Sequence, residues 1–261
     1  MRIALGIEYD GSAFHGWQVQ QEGVRTVQTA LETALSRVAD HPVRVVCAGR
    51  TDTGVHALGQ VAHFDTEARR SDRNWLLGSN VNLPDDVCVT WTREVDPAFS
   101  ARFSAVSRRY RYFILNRTPR SAVLAGRVTW VHRPLDANRM HQAAQALVGQ
   151  HDFSSYRALG CQAKSPVRTL HSIEVVRRGD FLVLSLHANA FLHHMVRNIA
   201  GVLMAIGRGE QPVEWAADVL SLRDRTLGGV TAPPQGLFLA KVFFEEMDWT
   251  EYAPCLPPQN G

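Results

Sequence analysis

The chain has 261 residues, 45% of them hydrophobic, with a formal net charge of +3. That is apolar material enough for one or two domains, which excludes a disordered polypeptide, and no apolar run approaches the roughly 18 residues of a membrane span. An acid stands at position 8, too early for a signal peptide, and the well-separated Cys47, Cys88, Cys161 and Cys255 exclude a Cys-x-x-Cys pair and zinc-finger spacing, so a soluble cytoplasmic protein is expected.

Ile3 to Tyr9 reads as a strand that ends at the turn Asp10-Gly11-Ser12. Val27, Ala30, Leu31, Ala34, Leu35 and Val38 recur at helical spacing, which predicts an amphipathic helix over Thr26 to Ala39. Val43 to Ala48 and Gln60 to Phe64 read as strands, Asn74 to Val81 as a short helix, and Val87 to Val95 as a strand. Ser107 to Asn116 is a further strand, and Asp136 caps a predicted helix through Val148. Leu170 to Arg177 and Phe181 to His187 make a hairpin turning at Gly179-Asp180. A helix from Ala190 to about Ile206, a strand from Leu237 to Phe244 and a loose tail from Pro254 to Gly261 complete the chain. Adjacent strands with helices between them favour an α+β fold with an antiparallel or mixed sheet. A seam near residues 96–107 divides an N-terminal half, 1–103, from a C-terminal half, 104–261.

Charge is distributed unevenly. From Pro97 to Leu135 there is no acid, but Arg102, Arg108, Arg109, Arg111, Arg117, Arg120, Arg127 and Arg133 give the segment +8. A second acid-free stretch, Phe153 to Ile173, adds Arg157, Lys164 and Arg168. Guanidinium groups grip phosphate with paired hydrogen bonds and stack on bases. With Tyr110, Tyr112 and Phe113 among them, the arginines suit nucleic-acid binding. The competing explanation is a solvated strand in a chain where 26 of 28 basic residues are Arg.

The most informative segment is Ala48-Gly49-Arg50-Thr51-Asp52-Thr53-Gly54-Val55-His56, a loop between two predicted strands. Arg50 and Asp52 stand two apart, so an ion pair that keeps Asp52 ionised is expected, as suits a nucleophile or base rather than an acid. A plain Asx-turn is the structural alternative. Asp52-Thr53-Gly54 also matches the aspartic-protease triplet, but such enzymes need two carboxylates sharing a proton, and Arg50 opposes that. Val55-His56-Ala57 fails as a zinc deaminase, because Leu58 follows and no cysteine pair exists.

Glu8-Tyr9-Asp10-Gly11 with Gly16-Trp17-Gln18, then Gly49-Arg50-Thr51-Asp52-x-Gly54-Val55-His56, Ala101-Arg102-Phe103 and Arg108-Arg109-Tyr110-Arg111-Tyr112 follow in order. His151-Asp152-Phe153, Phe191-Leu192-His193-His194-Met195-Val196-Arg197-Asn198 and Ala232-Pro233-Pro234-x-Gly236-Leu237 continue the series. With these motifs the chain resembles the tRNA pseudouridine synthase A (TruA) family along nearly its whole length; Thr53 stands where Ala is common. The resemblance implies conversion of uridine to pseudouridine at positions 38, 39 and 40 of the tRNA anticodon stem-loop. It implies Asp52 as the catalytic carboxylate and Tyr110 stacked on the target base. Arg50 would help displace that base, Arg197 would complete the charge network, and Leu237 would line the pocket. It further implies two related α/β halves sharing a large antiparallel sheet with a central basic cleft, a homodimer, and no metal or organic cofactor. Arg108, Arg109 and Arg111 are candidate RNA contacts.

Isomerisation adds no group and oxidises nothing, which agrees with the missing dinucleotide and Walker motifs. It needs an ionised carboxylate near the sugar or the base and a dry pocket. Extruding a stacked nucleotide costs a few kcal/mol, and aromatic stacking returns roughly 1–3 kcal/mol. In the predicted strand Arg108, Tyr110, Tyr112 and Ile114 share one face. Phe191, Met195, Ile199, Val202 and Ile206 form a helical stripe with Arg197 about opposite, beside His193, facing solvent or a cleft. His187, His193 and His194 have no suitably spaced carboxylate or cysteine, so no metal is expected. A non-catalytic RNA-binding protein is the alternative from another class.

Overall fold

The computed structural model describes residues 1–245; the expected tail from Pro254 to Gly261 lies outside them. By their own contacts the described residues divide into two units, Met1–Val106 with Leu239 to Glu245, and Ser107–Phe238. Within the last strand, Leu239 to Phe244 therefore group with the first unit. The fold is α+β, with ten strands and five α-helices among the described residues.

In the first unit Arg2–Tyr9 (β1) is buried from residue 3 to residue 7. A strand apolar on both faces belongs inside a sheet. β1 accordingly pairs antiparallel with both His56–Asp65 (β3) and Val87–Val95 (β4). Val46–Cys47 (β2) pairs with β3, and Leu237–Phe244 (β10) follows β3 in the order β4-β1-β3-β10. Thr26 starts helix Val27–Ala39 (α1) by accepting from Thr29 N at 3.2 Å. That helix buries Val27, Leu31, Ala34 and Leu35, as its spacing requires. Helix Asp72–Asn82 (α2) packs on α1 and β4, and its Trp75 meets Phe64 edge-on at 5.1 Å. The expected strand Val43 to Ala48 shrinks to β2 for a specific reason. Val43 N donates to Ser36 Oγ (2.9 Å) and Val45 N to Glu32 Oε1 (3.1 Å), both on α1, so these amides leave no ladder to form.

In the second unit Ala105–Asn116 (β5), Phe181–Ala188 (β9), Val167–Arg178 (β8) and Gly149–Asp152 (β7) are ordered β5-β9-β8-β7. The β8–β9 hairpin turns at Gly179-Asp180 as expected. The sheet is mixed rather than wholly antiparallel, because Thr129–Val131 (β6) runs parallel to β5. Tyr110, Tyr112 and Ile114 stand opposite Leu186, Leu184 and Leu182 on one buried face. Helix Ala137–Gln145 (α3) ends before the expected Val148 and packs against β8; helices Met195–Gly207 (α4) and Trp215–Leu222 (α5) pack on α3. The α5 helix had no counterpart among the predicted elements.

The α4 helix begins five residues later than its apolar stripe suggests. His194 is left-handed at φ 61°, a conformation that an α-helix cannot continue through. Phe191 is thereby released from the stripe and meets Tyr110 edge-on, with ring centres 4.9 Å apart. His193 lies outside the helix, so Arg197 is not its neighbour on a helical face. Among the described residues no helix is long and apolar enough to cross a membrane.

Candidate active site

The Asp52 loop, residues 48–55, joins β2 to β3 and is pinned along its length. At its start the buried Gln60 amide accepts from Gly49 N (3.3 Å) and donates to Gly49 O (2.5 Å). In the middle, Trp17 N donates to Thr51 O (3.0 Å), and the Thr51 hydroxyl lies 2.7 Å from Tyr9 Oη. Past the aspartate, Val55 N closes a turn onto Asp52 O (3.1 Å), and Gly54 N reaches Phe14 O (3.4 Å). Finally His56 Nδ1 accepts from Gly11 N at 3.0 Å. That nitrogen also lies 3.2 Å from Asp10 Oδ1.

Two glycines permit this close approach. A Cβ on Gly16 would stand 2.7 Å from Thr51 O, and its φ of 87° is one that side chains resist. A Cβ on Gly11 would overlap the Val55 carbonyl. The result is a half-buried Asp52 on backbone that residues 9–17 hold from both sides.

The expected Arg50–Asp52 ion pair is not formed. Arg50 is exposed, and among the described residues no salt bridge links the two. Tertiary bonds fix the backbone on either side of Arg50, and its long side chain extends into water. Its charge acts instead on Cys47, where burial pushes the thiol up to about 12 against the opposing pull of Arg50 and Arg102.

The second unit carries the other candidates. Tyr110 is buried, with its ring edge-on to Phe191. Tyr112, one step along the same face, is fully buried; its hydroxyl donates to Pro233 O (2.8 Å) and lies 2.6 Å from Thr129 Oγ1. Burial pushes the Tyr112 phenol well above its ordinary value. Arg197, half-buried on α4, donates from Nε to Ala232 O (2.8 Å), and Ala232 N returns a bond to Arg197 O (3.1 Å). Asn198 Nδ2 donates to Tyr156 O (2.7 Å), while its Oδ1 accepts from Thr231 Oγ1 (2.7 Å) and Arg225 Nη2 (3.1 Å). Together these bonds strap residues 225–233 to α4, and the chain then enters β10 at the buried Leu237.

The three candidate RNA-binding arginines do not share a face. Strand alternation puts Arg108 on the side of Tyr110 and Tyr112, where it donates to Asn189 O at 3.0 Å. Arg109 and Arg111 lie on the opposite side, in register with His187 and Ser185. Burial lowers the Arg111 guanidinium below its ordinary value, and the neighbouring charges of Arg109 and Arg178 add to the shift. His187 Nε2 lies 2.8 Å from Ser107 Oγ with its ring 5.1 Å from His171, whereas His193 and His194 stack on each other at 4.0 Å.

The sequence assigned no individual role to Tyr9, Gln60 or Asn198. The available signal was that Gly11, Gly16 and Trp17 follow closely on a strand that ends at Tyr9, as a close-approach turn does.

Comparison with known proteins matches residues 6–104 and 143–245 to the family model described as tRNA pseudouridine synthase. The chain is 60% identical over 246 residues to the tRNA pseudouridine synthase A of Alcanivorax borkumensis, covering 94% of this chain and 92% of that protein. The Methylococcus capsulatus protein of that name is also 60% identical, over 94% and 90% of the two chains. The Pseudomonas aeruginosa one is 61% identical over 92% and 85%.

Proposed function

Since this chain belongs to the tRNA pseudouridine synthase family, it isomerises uridine to pseudouridine in tRNA, and we propose that it does so at positions 38, 39 and 40 of the anticodon stem-loop with Asp52 as the catalytic carboxylate. The observation that carries the choice of Asp52 is the clamped loop, which presents a single half-buried carboxylate on a segment held by hydrogen bonds to Tyr9, Phe14, Trp17 and Gln60.

The reaction cleaves N1–C1′, turns the uracil, and rejoins it through C5, whose proton leaves to solvent. An ionised carboxylate serves by adding to C1′, by adding to C6, or by removing the C2′ proton. Each route demands the negative oxygen, and none needs a metal or organic cofactor. Tyr110 stacks on the extruded uracil, Arg50 displaces the base from its stem, Arg197 supplies positive charge and Leu237 lines the apolar side of the pocket. These roles are supported by the motif match residue by residue. Arg108, Arg109 and Arg111 contact the RNA backbone, a role supported by the acid-free stretch around them. The enzyme acts in the cytoplasm as a homodimer.

Tritium at uridine C5 tests this reading directly, because isomerisation must release it. With anticodon stem-loop transcripts, Asp52→Asn is expected to bind tRNA within about twofold of wild type and to release no label, a loss in line with removal of a nucleophile. Label release near the wild-type rate would remove Asp52 from its role, and carbodiimide-reactive uridines outside positions 38–40 would move the target.

A further inference from the structure

We propose that Tyr9 is a positioning residue for the Asp52 carboxylate and acts through the hydroxyl of Thr51; the role rests on the reading of Asp52 as catalytic. Tyr9 ends β1, a strand held in the sheet by partners on both sides. It is 4% exposed, and its ring lies 6.1 Å from that of Trp17. The sheet therefore fixes where its hydroxyl is.

That hydroxyl meets Thr51 Oγ1 at 2.7 Å, and Thr51 is itself 7% exposed. The Thr51 carbonyl is held from a second direction by Trp17 N at 3.0 Å. A residue gripped at both its side chain and its carbonyl cannot turn about its own backbone bonds. Because Asp52 follows directly, any turn at Thr51 would swing the carboxylate by about its own reach from the chain. A misplacement of about 1 Å can cost on the order of 100-fold in rate. A rigid support for the reacting group is what the chemistry needs, and the loop alone, with Gly49 and Gly54 in it, does not provide one.

The structure separates this role from simple stabilisation. A hydrogen-bonded pair replaced on both sides by apolar groups of similar shape is nearly neutral for stability, but it restores no directional hold on Thr51. The experiment compares Tyr9→Phe, the double variant Tyr9→Phe/Thr51→Val, and Asp52→Asn. It reads thermal midpoint, tRNA dissociation constant, and single-turnover tritium release well below the melting range. Tyr9→Phe is expected to slow release about tenfold with tRNA affinity within about twofold, and to lower the midpoint. The double variant is expected to recover the midpoint and stay slow.

Release within twofold of wild type in Tyr9→Phe overturns the proposal. So does a double variant that regains rate along with stability, or a rate loss that follows weakened tRNA binding. An active Asp52→Asn defeats the catalytic reading itself, whereas an inert Asp52→Asn beside a full-rate Tyr9→Phe defeats only the role of Tyr9.

Discussion

Truncating Asn198 to alanine should cost more stability than any surface change in the second unit. The side chain is 1% exposed and makes three hydrogen bonds, to Tyr156 O, Thr231 Oγ1 and Arg225 Nη2. Two of the lost bonds leave partners with alternatives, because Arg225 keeps Thr231 Oγ1 at 2.9 Å. The Tyr156 carbonyl is buried and loses a donor. At about 1 kcal/mol for each bond, plus about 1 kcal/mol or more for the stranded carbonyl, the expected loss is about 3–4 kcal/mol. For a chain of this size that corresponds to a midpoint lower by on the order of 10 °C. Calorimetry or urea unfolding measures it. Thr231→Val, which gives up two bonds at a half-buried site and strands no buried carbonyl, serves as the comparison and should lose about 2 kcal/mol. Because the same network straps residues 225–233 beside Arg197, turnover should fall along with stability in Asn198→Ala. A loss below about 1 kcal/mol, or one equal to that of Thr231→Val, would refute the account of Asn198 as the hub of that strap.

Stability should fall as the pH drops below about 6.5, the ordinary imidazole value. His63 is buried and accepts from Ala101 N at 3.1 Å; burial first, then the charge of Arg2, lowers its pKa against the pull of Asp65. A base held neutral in the fold contributes stability above its unfolded pKa and gives it up as pH falls through the lower folded value. His63→Asn, which keeps an acceptor for Ala101, should show a smaller midpoint loss between about pH 7.5 and about pH 5, a range that spans the ordinary imidazole value, than wild type; an equal loss would assign the effect elsewhere, with His187, also lowered chiefly by burial, the next group to test. Arg111→Gln should weaken tRNA binding and reduce the slope of log affinity against log salt by about 0.7–0.9, one phosphate contact. An unchanged slope across a KCl series would place Arg111 off the RNA path.

Much of the molecule is legible in its residues. The apolar runs of β1, β4 and β10 and the helical spacing of α1 are local periodicities, each bounded by a cap or turn residue, and such patterns survive any tertiary arrangement. The ordered motifs around Asp52, Tyr110 and Arg197 likewise identify the family, because they are strings of neighbours. What the residues could not reveal depends on partners far along the chain. Arg50 and Asp52 look like a pair at a spacing of two, yet the loop is held by Tyr9, Trp17 and Gln60 instead. The α4 stripe looks continuous through Phe191, yet one left-handed residue, His194, starts the helix at Met195. Val43 and Val45 look like strand, yet α1 takes their amides. Local patterning decides which segments can be helix or strand, since it depends only on neighbouring side chains. Which donor meets which acceptor is decided by packing, because hydrogen bonds are short and two of the groups that complete the Asp52 loop, Tyr9 and Trp17, arrive from more than thirty residues away.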